Sequence, residues 1–213
     1  MATFIIQSNH KISARLLGRC FTFTREFSAT TRANNQVSSS VHPASPRVHV
    51  YRIPESRTTT PSNLKYALSF LPSSDLPDKT SVFDHPDLII GWTPEQTTLD
   101  PKSFVDNNQF VQFMTKVLKD NIHNINDNAL KGLAEWQKEG WLHVADERNP
   151  PPWGRIPFPE DIIGSVLIKD GVIQPNTFEA MPTHRLVTSC GIFKLSEPLF
   201  QCLLKESKKK AQA

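Results

Sequence analysis

From residue 108 onward the apolar positions keep a helical spacing. Phe110, Phe113, Met114, Val117, Leu118 and Ile122 recur every three or four residues, and Asn107 or Asn108 is placed to cap the start. A second such stretch begins near Asn126 or Asp127, presents Leu130, Leu133, Ala134 and Trp136, and ends at Gly140. The few polar residues between the two predict an antiparallel helical hairpin. At Trp141 the pattern changes. Trp141 to Val144 has strand character, and residues 164–168 and 172–174 flank Lys169-Asp170-Gly171, a strong hairpin signal. Residues 177–181 and 184–188 read as extended, and Ser189-Cys190-Gly191 turns the chain into a strand over 192–195. Ser196 then caps a last helix with Leu199, Phe200, Leu203 and Leu204 on one face and Lys208, Lys209 and Lys210 at its negative end. The fold predicted for residues 100–207 is α+β: a helical hairpin and a C-terminal helix packed on a small, mostly antiparallel sheet, followed by a basic tail at 208–213.

Residues 35–99 give a weaker pattern. Val48 to Ile53 alternates like a strand and stops at Pro54, and Leu88 to Trp92 is a short extended run. Leu64, Ala67, Leu68 and Leu71 suggest a two-turn helix opening at Pro61 or Ser62. Seven prolines between positions 54 and 101 argue against a regular domain. The expectation is an extended or disordered Pro-rich arm, lying across the body or waiting for a partner.

Residues 1–34 have the composition of a mitochondrial presequence. Five basic residues face one acid, Glu26, and Ser and Thr are frequent. Lys11, Arg15 and Arg19 share one helical face, while Phe4, Ile5, Ile6, Ile12, Leu16 and Leu17 cluster on another. Residues 25–30 resemble a two-step matrix-processing signal, which implies a first cut after Glu26 and removal of the octapeptide 27–34. Together these features predict import into the mitochondrial matrix.

Charge then limits the partners. Of the chain's 24 basic and 21 acidic residues, 19 and 20 remain after residue 34, so the body lacks the electrostatic footprint of a nucleic-acid binder. No apolar run reaches the roughly 20 residues that span a bilayer. Three cysteines form neither a disulfide framework nor a CxxC metal pair, and Cys190 and Cys202 read as small buried hydrophobes. His143 and Asp146, three apart on a strand, fall on opposite faces and make a poor metal pair. No phosphate-cradling glycine loop, HExxH or GxSxG occurs, and no cofactor is called for.

The stretch most able to carry function is WLHVADERNPPPWGRIPFPEDIIGSV, residues 141–166. Pro150, Pro151 and Pro152 restrict the backbone between two apolar runs, so little entropy remains to be lost on ordering. The binding candidates are Trp153, with Arg148 and Arg155 as clamps for a carboxylate, a phosphate or a partner's acids, and Glu160, Asp161 and His184 beside them. The alternative has Arg155 paired with Glu160 or Asp161 while Trp153 covers the sheet edge. His184, next to a loop carboxylate, could also serve as a general base. This block, read with THRLVTSCGIFKLSEPLF, is similar to a group of uncharacterised fungal mitochondrial proteins. That resemblance spans about the last third of the chain, implies location, and carries no activity. The expectation is a non-catalytic matrix protein docking on a protein partner in a larger assembly. A respiratory-complex accessory or assembly protein fits better than a ribosome-associated one, because the body has no positive excess. The rival is a small-molecule enzyme with a pocket walled by the 149–161 loop.

Overall fold

A computed structural model describes residues 38–55, 63–78, 80–152 and 155–212. The presequence expectation, its cleavage sites and Trp153 lie outside those residues. Within them the α+β class is as the patterning predicts. The chain runs β1 (Ser39–His42), β2 (Ser45–Arg52), β3 (Tyr66–Ser69), β4 (Ile89–Thr93), β5 (Val105–Asp106), α1 (Asn108–Asn121), α2 (Asn128–Gln137), β6 (Gly140–Ala145), β7 (Ile162–Lys169), β8 (Val172–Ile173), β9 (Glu179–Ala180), β10 (Val187–Thr188), β11 (Gly191–Ile192) and α3 (Glu197–Ala211).

The sequence is corrected in residues 39–93. In place of a Pro-rich arm, β1 to β5 form one antiparallel sheet in sequential order, and the expected helix over 64–71 is instead strand β3. The prolines do not oppose this, because Pro54, Pro72 and Pro94 stand in the connections and take no donor from the ladder. The alternation of β2 and β3 buries both faces. Val48, Val50 and Leu68 enter the main core, while Tyr51 and Ala67 enter a second one with Leu71, Leu76, Val82, Leu88, Ile89 and Ala211. The Tyr51 hydroxyl donates to the Leu71 carbonyl at 2.7 Å. Helix α3 serves both cores: Leu199, Phe200 and Leu203 fill the main one, and Ala211 closes the second. Lys208 reaches Asp75 at 2.9 Å, and Lys210 pairs with Asp87.

The second sheet follows the predicted order. Strand β7 pairs antiparallel with β6 on one edge and with β8 and β9 on the other, and β10 and β11 form a separate hairpin. Asp170 and Gly171 turn the β7–β8 hairpin at φ of 53° and 75°. Gly164 allows β9 and Phe178 to close on β7: a Cβ there would meet the Glu179 carbonyl oxygen and Phe178 Cζ at 2.5 Å. Asn107 caps α1 through the Gln109 amide, and Asp127 caps α2 through the Leu130 amide at 3.1 Å, both as the spacing predicts. Ser196 does not cap α3 with its side chain. Its hydroxyl donates instead to Asp127 Oδ2 at 2.6 Å, tying the two helix starts together.

Candidate functional site

The proline loop leaves β6 at Ala145 and returns at Ile162, and its neck is closed by backbone and side chains together. Asp146 N donates to the Asp161 carbonyl at 2.8 Å. The Asp146 carboxylate, wholly buried, accepts on Oδ1 from the amides of Arg148 (3.0 Å) and Lys194 (2.9 Å). Its Oδ2 lies 3.1 Å from Arg148 Nε and 3.2 Å from His184 Nε2. Asp161 Oδ1 lies 3.5 Å from the same Nε, and its Oδ2 accepts from Asn149 Nδ2 at 3.0 Å. No aligned hydrogen bond forms on Arg148 Nε, so its attraction to the two carboxylates is Coulombic rather than directional.

The Arg148 side chain is 3 % exposed and spends its remaining donors on the backbone. Nη1 donates to the carbonyls of Leu186 (3.3 Å) and Gly191 (3.1 Å), and Nη2 to those of Arg185 (2.7 Å) and Glu160 (3.4 Å). One planar guanidinium thus joins the loop neck to the segment around β10 and β11. This corrects the reading of Arg148 as a clamp for outside anions, since its donors are used internally. His184 is held between Asp146 and the edge of Phe193, whose ring centroid lies 5.8 Å away. Asp106 on β5 feels the same cluster. Although Asp106 is exposed, partial desolvation by the protein beside it pushes its carboxyl above the usual range, and the charges of His184 and Arg185 pull it back part of the way.

The structure therefore gathers Arg148, Asp161 and His184 around Asp146, which the sequence did not mark as their hub. It leaves Arg155 and Glu160 outside. Both are exposed, and Arg155 pairs with neither Glu160 nor Asp161. The Arg155 amide donates to the Pro152 carbonyl at 3.0 Å. Two residues the sequence reading passed over dominate the described part of the loop tip: Ile156 at 73 % exposure and Phe158 at 67 %. Their signal was present, because an apolar residue flanked by prolines, as in Ile156-Pro157-Phe158-Pro159, cannot pair as a strand.

A second feature adjoins the cluster, with Glu147 and Arg148 in its wall. A cleft of about 630 Å³ is walled by the β1–β2 turn, residues 97–99, the β10–β11 hairpin and α3, with Phe70, Phe193 and Phe200 among its lining. Those rings meet edge to face, Phe70 lying 5.5 Å from Phe193 and 5.2 Å from Phe200. Cys190 lines the cleft and is exposed, contrary to its reading as a buried hydrophobe. No described loop residue from 150 to 161 lines it. Among the described residues, no group of three or more His, Cys, Asp or Glu is placed to hold a metal ion, and no helix is long and apolar enough to cross a membrane. No family model matches the chain, and no curated protein or solved structure is significantly similar to it.

Proposed function

We propose that this protein is a non-catalytic docking component of a larger assembly in the mitochondrial matrix, with the proline loop as its contact. The observation that carries the reading is the pair Ile156 and Phe158, held out to solvent on a loop whose neck is fixed by Asp146, Arg148 and Asp161. Large exposed side chains on a pre-ordered backbone lose little entropy when they enter a partner's pocket. The exposed Arg155 beside them favours an acidic rim on that partner. The matrix location rests on the basic, acid-poor residues 1–34. A respiratory-complex accessory or assembly role is preferred to a ribosomal one on the charge balance of the body.

His184 and Asp146 make a buried acid–imidazole pair, but Asp146 is occupied by two amides and Arg148, and among the described residues no hydroxyl or thiol bonds the imidazole. That arrangement orients segments and offers no nucleophile. The test is sedimentation of mitochondrial lysate carrying the wild type or Ile156→Asp/Phe158→Asp. Wild-type protein should travel with a large complex and the variant should stay at the top, with both melting at the same temperature. Wild-type protein found wholly at the top overturns the docking reading.

A further inference from the structure

Strand β6 is the outer edge of the second sheet, and among the described residues it pairs with β7 alone. The bonding of β7 tells which of its backbone groups face outward. Leu167 stands opposite Trp141 but bonds on the far side of β7: its amide donates to Thr177 Oγ1 at 3.1 Å, and its carbonyl accepts from the Gln174 amide at 2.9 Å. Trp141 and Leu167 are therefore a non-hydrogen-bonded pair of the ladder, and the N–H and C=O of Trp141 point away from the sheet. The Trp141 carbonyl accepts there from Gln137 Nε2 at 2.9 Å, in keeping with that direction. By alternation His143 and Ala145 also turn outward, while the Asp146 amide turns back to the Asp161 carbonyl. No described backbone group meets those of His143 and Ala145, since the chain crossing at Lys194 takes only the next amide, that of Glu147.

Proteins usually blunt such an edge with a lysine, a proline or a bulge in the strand itself. Strand β6, GWLHVA, carries no charge and no proline, and the bulge at Val144/Ala145 puts its extra residue in β7. We propose that this edge pairs with the same edge of a second copy, antiparallel about a two-fold axis at His143. That register sets every outward residue opposite an outward residue, His143 facing its own counterpart and Trp141 facing the second copy's Ala145, for about six backbone hydrogen bonds. The indole of Trp141, 46 % exposed, then lies beside a small side chain that leaves it room. At each end, exposed Lys138 and Glu139 of one copy approach exposed Glu147 and Lys194 of the other, one cation and one anion on each side. A foreign strand would gain the backbone bonds without these two matches. A single strand pair covers less than the roughly 1,000 Å² of a stable interface, so the dimer is reversible. The edge shares no residue with the loop tip, so it stands or falls apart from the docking role.

The test is sedimentation velocity of the full chain over about 1–200 µM, where the wild type should pass reversibly from monomer to dimer. His143→Lys and His143→Glu should each raise the dissociation constant about tenfold or more, because like charges then face each other across the axis. Mixing the two variants should restore the dimer, a result that only a register placing residue 143 against its counterpart gives. Amide exchange in the wild type should slow with concentration at His143 and Ala145 and stay constant at Leu142 and Val144, which reads the edge even if a variant does not fold. A chain that is monomeric throughout, a dimer that both variants leave intact, or folded variants that do not associate on mixing overturns the proposal.

Discussion

Replacing Arg148 with methionine removes the guanidinium and keeps most of the stem, so the loss it causes belongs to the polar network. The wild-type side chain faces two buried carboxylates, at 3.1 and 3.5 Å, and donates to carbonyls of residues 160, 185, 186 and 191. Removing one partner of a buried ion pair costs about 3–5 kcal/mol, mainly because a charge is left uncompensated. Here neither carboxylate is stripped bare. Asp146 keeps two backbone amides and His184, and Asp161 keeps Asn149. The expected loss therefore sits at the lower end, about 3 kcal/mol, which raises the unfolded fraction about a hundredfold. Urea unfolding should show a lower midpoint at unchanged slope. Hydrogen exchange should quicken first at the amides of Glu147 and Phe193, which bond Lys194 and Leu186 across the same neck. Adding Asp146→Asn to R148M should cost less than the sum of the two single changes, since the charge left behind is then removed. A loss under about 1 kcal/mol would put Arg148 with ordinary surface pairs and refute the claim that it fixes the loop.

Three further outcomes follow from the same geometry. Phe158→Asp alone should weaken capture of the partner complex by about 2 kcal/mol, or thirtyfold, with the melting temperature unchanged; a pull-down titration reads this. Gly164→Ala should cost about 1–3 kcal/mol, because the Glu179 carbonyl and Phe178 ring leave its methyl no room, and calorimetry should show a drop of several degrees. Stability should fall at both ends of the pH scale. Burial pushes the Tyr51 phenol up to about 12, so above about pH 10 the unfolded chain loses a proton that the folded one keeps, and up to about 2–3 kcal/mol goes by the time pH passes the folded value. Burial lowers His42 and His49, so as pH drops below about 6.5 the unfolded chain gains protons first and stability declines. Asp106, raised by partial desolvation, works the other way over the carboxylate range and adds stability that is lost as pH rises through its folded value. Urea midpoints that stay flat from neutrality to strong alkali would contradict the burial of Tyr51.

The second half of the fold was legible because its signals are local. A cap residue, a helical apolar spacing and an Asp-Gly turn each act within one or two turns of chain, and Asn107, Asp127 and Asp170-Gly171 do what their positions imply. The first sheet was not legible because its evidence is non-local. Tyr66 pairs with Arg52 and Thr93, and only that pairing reveals that the prolines mark connections rather than breaks in a domain. Ser196 shows tertiary structure overriding a local rule, since Asp127 takes the hydroxyl a cap would use. At the site, the loop and most of its charged residues could be named from sequence. The inward turn of Arg148 could not, because the four carbonyls that receive it come from segments up to 43 residues away.

Helix α3 imposes an order of events on the growing chain. The sheet of β1 to β5 is the first structure to emerge, yet its second face is completed by Ala211 and its turns are pinned by Lys208 and Lys210. Until those last residues are free, Leu76, Val82 and Leu88 lie under an unfinished cover, and the paired strands remain an intermediate open to aggregation. The second core is therefore completed only by the end of the chain, and full protection of its apolar side chains should appear only once those last residues have docked.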